Sequence, residues 1–335
     1  MPKTISIQNL HALLDRLIAT GTRVVGPRES GSMTLYEPLT SGAELSLRDL
    51  PRRSAKEAFF PICESILSYS RVEGKTTVSD PDLACLPATL LVGARPCDAG
   101  AAPVLDAVFS WDYRDEFYLE RRRKTTVIGL ACTRCDDACF CTALGGAPDG
   151  HAGSDLFLSP LSDGSFSFEA VTEKGKELLA TASDLLWSGS AAAPVPLAAP
   201  ALPKFDLAKI KGWLDSHFED PLWAEIAERC VGCGACAFLC PACHCFDIVD
   251  EGSESKGERR KYWDACGFSK FTLHASTHNP RNGQPARYRN RIMHKFKYYD
   301  DKFGQTLCTG CGRCVRACPV GIDIAAVLTE INNKP

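Results

Sequence analysis

The pattern of hydrophobic and polar positions divides the first half of the chain into alternating helices and strands. Apolar residues recur at helical spacing between Ser6, which can cap a helix, and Gly21, so they predict an amphipathic helix over 6–20. The short apolar or β-branched runs at 23–27, 89–94 and 125–130 predict strands, because polar residues or glycine bound them. Two further strands, 156–158 and 165–171, and a helical stretch, 172–186, complete a pattern that indicates an α/β domain.

The second half has a different pattern. Residues 188–204 contain repeated proline and alanine, which favour extended backbone and exclude a continuous helix, so they predict a linker. Apolar residues recur at helical spacing in 206–230 and again in 324–331. The predicted fold class is therefore α+β. It has an N-terminal α/β domain over 1–187, a linker over 188–204 and an α-helical ferredoxin-like domain over 205–335.

The chemistry-bearing residues are cysteines, which form two similar runs. Each run has the spacing C-x-x-C-x-x-C-x-x-x-C-P, one from Cys230 to Pro241 and one from Cys308 to Pro319. In two-cluster ferredoxins the fourth cysteine of this run ligates the other [4Fe–4S] cluster. Zinc is the rival interpretation, but it does not explain two runs that both end in Cys-Pro. The predicted ligands are Cys230, Cys233, Cys236 and Cys318 for cluster A, and Cys308, Cys311, Cys314 and Cys240 for cluster B.

A third group of cysteines follows two of the predicted strands. Cys97 comes just after strand 89–94, and the loop Cys132–Cys141 comes just after strand 125–130. Sites in α/β sheets form beyond the carboxyl ends of strands, so we expect these cysteines to lie close together. A four-cysteine zinc site and reduced structural thiols stay open, because the spacing matches no general motif. The predicted third cluster, C, has the ligands Cys97, Cys132, Cys139 and Cys141, with Cys135 as a substitute.

The remaining features point to no further site. Cys63 and Cys85 are isolated in sequence and are expected to be buried structural thiols. The cysteines and histidine at 243–245, together with Cys266, show no standard ligand spacing, so a fourth metal site is not favoured. The basic and aromatic stretch 281–297 is expected to be a solvated face rather than a nucleic-acid surface, because the net charge of the chain is -3.

Length and composition limit the class of protein and the compartment in which it works. The chain has 335 residues and 18 cysteines, so it is too long for a small secreted disulfide scaffold. Its start lacks the apolar run of a signal peptide, and no window approaches the length of a membrane span. Metal ligation in a reducing cytoplasm fits this cysteine usage. We expect neither nucleic acid nor a membrane as a partner. No proton-handling or nucleotide motif is present, so no catalytic residue and no cofactor site beyond the clusters is predicted.

The assembled motifs resemble the iron–sulfur beta subunit of cytoplasmic [NiFe] hydrogenases (sulfhydrogenases) and the related iron–sulfur subunit of anaerobic sulfite reductase. The resemblance covers about residues 59–324, and it also supports cluster C, although Cys135 departs from the family pattern. The stretches that carry it are Gly93–Asp98, Ile128–Cys132, Cys139–Cys141, Trp263–Cys266 and the two ferredoxin runs.

The resemblance implies a non-catalytic electron-transfer subunit of an oxidoreductase complex. Its expected partners are a subunit that binds FAD and NAD(P) and a catalytic subunit of hydrogenase or sulfite reductase type. One alternative is a self-contained iron–sulfur reductase that uses the N-terminal cluster on a sulfur or disulfide substrate. Another is a metal-dependent scaffold or nucleic-acid adaptor.

Overall fold

The computed structural model describes residues 3–188 and 192–334. Its strands are β1 Lys3–Ile5, β2 Arg23–Ser30, β3 Met33–Pro38, β4 Cys63–Val72, β5 Lys75–Ser79, β6 Thr89–Ala94, β7 Thr125–Leu130, β8 Leu156–Pro160, β9 Phe166–Ala170, β10 Trp187–Ser188, β11 Phe246–Gly252 and β12 Lys256–Trp263. Its α-helices are α1 Ile7–Ala19, α2 Pro96–Ala99, α3 Ala101–Phe109, α4 Glu116–Lys124, α5 Glu173–Thr181, α6 Leu207–Ser216, α7 Leu222–Ala227, α8 Ala235–Phe238, α9 Gln284–Met293, α10 Tyr299–Phe303, α11 Arg313–Arg316 and α12 Ile324–Asn333.

The chain forms two compact units that are not continuous in sequence. The N-terminal unit runs to Phe59 and also contains Pro87–Lys204 and Thr309–Gly312. The C-terminal unit contains Phe60–Leu86, Phe205–Cys308 and the residues from Arg313 onward. The chain crosses from the N-terminal to the C-terminal unit at 204–205, where the linker was predicted to end. The division into domains 1–187 and 205–335 stays a prediction, and residues 60–86 pack apart from their sequence neighbours.

The N-terminal unit is built on an eight-stranded sheet in the order β10-β1-β9-β8-β7-β6-β2-β3. The four central strands β8, β7, β6 and β2 are parallel, and the outer pairs are antiparallel. Strand β6 is buried along its whole length, as its apolar run predicts. The pairing of Ala94 with Gly129 brings the carboxyl ends of β6 and β7 to the same edge of the sheet.

Helix α1 supplies one side of the core of this sheet. Ser6 caps it, because the Ser6 hydroxyl accepts a hydrogen bond from the Asn9 N–H. Leu10, Leu13 and Leu14 are fully buried against the strands, and each such leucine contributes about 1.5–3 kcal/mol through burial. The helix predicted over 6–20 is therefore confirmed, and its apolar stripe is the face that packs on the sheet.

The predicted linker follows the N-terminal unit where it is described. Residues 189–191 lie outside the described residues. Beyond them, the Val195 N–H donates to the Pro160 carbonyl and the Ala198 N–H donates to the Cys132 carbonyl, both at short distances of 2.9 and 2.8 Å. The segment 192–204 thus runs along the sheet and contacts the cysteine loop after β7.

The C-terminal unit contains a four-stranded antiparallel sheet, which the prediction of an α-helical domain over 205–335 did not include. The strand order is β11-β12-β4-β5. Strand β12 of the hairpin β11–β12 pairs with β4, which lies almost two hundred residues earlier in the chain. The sequence between the two cysteine runs contains no local pattern that identifies β4 as the partner. Lys261 and Glu64 face each other across this pairing in a buried ion pair of 3.1 Å, which fixes the register of β12.

The helices of the C-terminal unit differ from prediction in two places. The helical stretch predicted over 206–230 is broken into α6 and α7, with Pro221 immediately before α7, and Phe218 is exposed in the break. The stretch 281–297 is not a solvated face, since Tyr288, Lys295 and Phe296 are buried. In the described part of the chain, no helix is both long and apolar enough to cross a membrane.

Candidate iron–sulfur centres

The four cysteines assigned to cluster A line one pocket of the C-terminal unit. Three of them come from the tight loop before and around α8, and Cys318 comes from the second run. Gly234 has a φ of 73°, a left-handed conformation that only glycine adopts readily, and a side chain there would clash with Phe268. Cys314, which the motif assigns to cluster B, lines the same pocket. The structure therefore brings both Cys314 and Cys318 to the first run, and the assignment of Cys318 to cluster A stays a prediction.

Two of these sulfurs receive hydrogen bonds from outside the cysteine loop. The Gln284 side-chain amide donates to Cys230 Sγ over 2.9 Å, and the Ile322 backbone N–H donates to Cys318 Sγ over 3.2 Å. Hydrogen bonds to ligand sulfur stabilise its negative charge and orient it. Gln284 begins α9, so this helix supports the cluster A pocket although it carries no ligand.

Lys295 contacts one of the ligands assigned to cluster B and the residue before another. Its ammonium donates to Cys240 Sγ over 3.3 Å and to the Leu307 carbonyl over 2.8 Å. The Leu307 N–H donates back to the Lys295 carbonyl. One side chain therefore links the last cysteine of the first run to the residue before Cys308, the first cysteine of the second run.

Arg291 and Lys295 are buried cations that face cysteine sulfur. Arg291 donates to the Cys236 carbonyl over 3.1 Å and reaches Cys243 Sγ at 3.9 Å. Burial lowers the pKa of both cations, but interactions with surrounding thiolates outweigh it and hold both values above normal. A buried cation is costly without an anionic partner, and a cysteine-ligated cluster is such an anion. The donor set and its surroundings therefore fit [4Fe–4S] clusters.

Three buried polar groups beside the assigned ligands support the same fit. They are the Nε of Arg95, the hydroxyl of Thr142 and the hydroxyl of Thr309, none of which has a hydrogen-bond partner among the described residues. Each precedes or follows an assigned cysteine by one or two positions. Because buried polar groups are nearly always satisfied, these groups fit a site whose remaining acceptors are cluster sulfurs.

Cys97 lies on α2, directly after β6, where Arg95, two positions before it, and Asp98, directly after it, anchor the backbone. Arg95 donates to the carbonyls of Leu47 and Ala131 over 2.8 and 3.3 Å. Asp98 is buried and accepts a hydrogen bond from the Tyr36 hydroxyl over 3.0 Å. The stretch Arg95–Asp98 is therefore a rigid corner that fixes the position of Cys97 beyond the end of the strand.

The other cysteines assigned to cluster C lie in the loop after β7. The Cys132 N–H donates to the Pro148 carbonyl over 2.8 Å, which closes this loop on itself. Cys141 starts a 3₁₀ turn, and burial raises its pKa, with further raising by nearby Cys135 and Cys311. Cys132, Cys139 and Cys141 are partly buried, whereas the substitute Cys135 is exposed. Cys97 and Cys132 both follow strands that end at the same edge of the sheet.

Cys311 lies next to this loop within the N-terminal unit. The Phe140 N–H donates to the Gly310 carbonyl over 2.9 Å. Gly310 and Gly312 both have positive φ, and a side chain on either would meet the backbone of Cys141 or Ala138. Glycine at these two positions therefore permits close packing between a ferredoxin-type loop and the third cysteine group.

The cysteines outside the three assigned sets behave differently from expectation. Cys63 and Cys85 are exposed, so their prediction as buried thiols is wrong. Cys243 and Cys266 are buried, and Cys245 is partly buried. Within the described residues, no group of three His, Cys, Asp or Glu side chains is arranged to hold a single metal ion.

Sequence reasoning missed Gln284, Arg291 and Lys295 as supports of the cysteine sites. A signal was present, because Tyr288, Ile292, Phe296 and Tyr299 recur at helical spacing and predict a buried face. Arg291 and Lys295 lie three positions after two of these residues and so share that face.

The paired cysteine runs, the sulfur-directed donors and the buried cations define an iron–sulfur protein of the electron-transfer class. The 4Fe-4S dicluster domain family matches residues 229–322. The chain is 30% identical, over 322 residues and 92% of each chain, to the sulfhydrogenase 2 subunit beta of Pyrococcus furiosus. No solved structure matches the chain. The chain belongs to the iron–sulfur beta-subunit family of hydrogenases, which confirms the resemblance in its motifs.

Proposed function

We propose that the chain is a cytoplasmic electron-relay subunit that moves single electrons through three [4Fe–4S] clusters. Its partners are a subunit with FAD and NAD(P) and a catalytic subunit of hydrogenase or sulfite reductase type. The name of the Pyrococcus furiosus relative, a sulfhydrogenase subunit, supports a setting with several subunits. The ligands are Cys230, Cys233, Cys236 and Cys318 for cluster A, Cys240, Cys308, Cys311 and Cys314 for cluster B, and Cys97, Cys132, Cys139 and Cys141 for cluster C.

The observation that carries the proposal is a pair of buried cations beside ligand cysteines, since Lys295 donates to Cys240 Sγ and Arg291 donates to the Cys236 carbonyl. A structural zinc site needs only four thiolates and closed coordination. Fixed positive charge beside ligand sulfur has a further effect, since it stabilises the more negative, reduced state of a redox centre. Lys295 and Arg291 therefore suit groups whose charge changes during function.

The protein residues perform three tasks in such a relay. The cysteine loops hold each group at a fixed place, and Gln284 and the Ile322 N–H orient ligand sulfurs. Arg291 and Lys295 adjust the energy of the added electron. The clusters themselves would supply one-electron exchange, which flavin chemistry requires when it is linked to a buried metal centre.

Iron and acid-labile sulfide content tests this proposal. Protein purified without oxygen should contain about twelve irons and as much sulfide per chain, from three cubanes. About eight would remove cluster C and leave the ferredoxin pair. Colourless protein, or protein with zinc in place of iron, would overturn the relay altogether.

A further inference from the structure

The open ends of hairpin β11–β12 bring together two cysteines that no cluster uses. Cys245 directly precedes β11, and Cys266 follows β12 by three residues. Phe246 pairs with Trp263, and the Asp264 N–H donates to the Cys245 carbonyl over 2.9 Å. The hairpin register therefore fixes the relative positions of Cys245 and Cys266.

Both cysteines are among the residues that line an open pocket of about 390 Å³. That volume is within the range for small-molecule sites. Arg281 and Asn290 line the same pocket and supply N–H donors that suit a carboxylate. His294 and Tyr298 also line it, and both belong to the π-helix His294–Tyr298. This conformation is rare in proteins, and where it occurs it is often at a functional site.

From this geometry we infer that Cys245 and Cys266 form a dithiol site that exchanges with a small anionic disulfide bound in the pocket. The site lies outside the three cluster ligand sets. The inference rests on the proposed function in one respect, namely that the relay returns electrons to the oxidised pair.

The charge distribution suits an attacking thiolate at Cys266. The thiol of Cys245 donates to Cys266 and lowers the Cys266 pKa to about 6, and Arg291 and Lys295 add to this effect against the opposing effect of burial. The same hydrogen bond and burial raise the pKa of Cys245. One thiolate and one thiol thus share a proton, as in other reactive cysteine pairs.

The exchange balances in two steps. Cys266 sulfur attacks the disulfide, its S–S bond breaks, and one ligand half leaves as a thiolate while the other is bound to Cys266. Cys245 sulfur then attacks Cys266 sulfur, the second half leaves, and the Cys245 proton passes to a leaving thiolate. The cysteine pair has lost two electrons, and the ligand has become one thiol and one thiolate. Two electrons and one proton restore the thiol–thiolate pair, with single electrons supplied by the clusters.

The test uses the full chain with its clusters, reduced and then freed of reductant without oxygen. The protein is mixed with 3,3′-dithiodipropionate, which is anionic, or bis(2-hydroxyethyl) disulfide, which is neutral. After acid quenching and alkylation, peptide mapping identifies linked cysteines. We expect a Cys245–Cys266 link that forms at least about tenfold faster with the anionic probe, the factor that one charged hydrogen bond provides.

Four variants make the result specific. Cys266→Ser should form no link, and Cys245→Ser should stop at a mixed disulfide on Cys266. Arg281→Gln should remove the preference for the anionic probe and leave the neutral rate unchanged. Cys63→Ser, at an exposed thiol outside the pocket, is the matched control and should behave as the unchanged protein.

Two results would overturn the inference. One is alkylation of both thiols without any link after either probe. The other is loss of iron in Cys245→Ser or Cys266→Ser, which would make these residues metal ligands. Failure of the relay itself would appear separately, as low iron and sulfide in the unchanged protein.

Discussion

The N-terminal and C-terminal units hold their cysteines in different ways. In the C-terminal unit, a repeated local spacing places three cysteines on one tight loop, and α9 with its π-helical continuation adds Gln284, Arg291 and Lys295 around the sulfurs. In the N-terminal unit, cysteines far apart in sequence share a sheet edge because β6 and β7 are parallel neighbours. In the C-terminal unit the cysteines are close in sequence and have buried cations beside them, whereas in the N-terminal unit their positions depend on the pairing of strands in the sheet.

This difference teaches where each site is vulnerable. A ferredoxin loop tolerates much change elsewhere in the fold, because three of its four ligands lie within seven residues and only the fourth comes from the other run. The third cysteine group depends on Arg95 and Asp98, whose contacts with Leu47, Ala131 and Tyr36 fix the corner after β6. Errors of packing in the sheet should therefore affect cluster C before clusters A and B.

The largest effect is expected from Cys318→Ser, which breaks the predicted crossed ligand pattern of the two cysteine runs. Cluster A should be lost, with about four irons fewer per chain, although the change lies in the second run. Electron paramagnetic resonance of the reduced protein gives the measurement, with Cys233→Ser and Cys308→Ser as references for clusters A and B. A spectrum that matches Cys308→Ser instead would show that the ligands are not crossed.

The next effect concerns the N-terminal unit and separates a ligand from a spare thiol. Cys97→Ser should remove about four irons and leave the signals of clusters A and B in place. Cys135→Ser, in the same group but exposed, should keep the full iron content. If Cys135→Ser loses iron and Cys97→Ser does not, then Cys135 is the ligand and our choice is wrong.

The sequence predicted the elements near the N-terminal site well. The strands at 89–94 and 125–130 have the predicted bounds, because they are short, apolar and bordered by polar residues or glycine. The common sheet edge for Cys97 and Cys132 followed from the rule that parallel strands end at the same side. What could not follow was the contact between Gly310 and Phe140, since it depends on how a distant loop packs.

The C-terminal unit was harder to predict outside its cysteine runs. Hairpin β11–β12 needs β4 as a partner, and no local pattern identifies a strand so far away in sequence. The stretch 281–297 was misjudged because its basic residues suggested solvent exposure. Arg291 and Lys295 are buried there because cysteine sulfur replaces water as their partner.

The smallest and most specific effect is expected from Lys295→Met, which removes one charge from the C-terminal unit and keeps the side-chain length. Without the cation, the reduced and more negative state of cluster B is less stable, so its reduction potential should fall. A charged hydrogen bond contributes about 1.5–3 kcal/mol, which corresponds to about 60–130 mV for one electron. A redox titration followed by electron paramagnetic resonance measures the shift, provided that iron content is unchanged.

Two variants and a change of pH sharpen this last prediction. Lys295→Arg keeps the charge and should restore most of the potential, whereas Gln284→Leu removes a donor to Cys230 and should affect cluster A instead. The pKa of Lys295 is raised in the folded protein, so the cation persists as pH rises through the neutral range. The difference between Lys295→Met and the unchanged protein should therefore be the same at about pH 6 and about pH 9. A difference that disappears at the higher pH would mean that Lys295 loses its proton there and does not supply a fixed charge to cluster B.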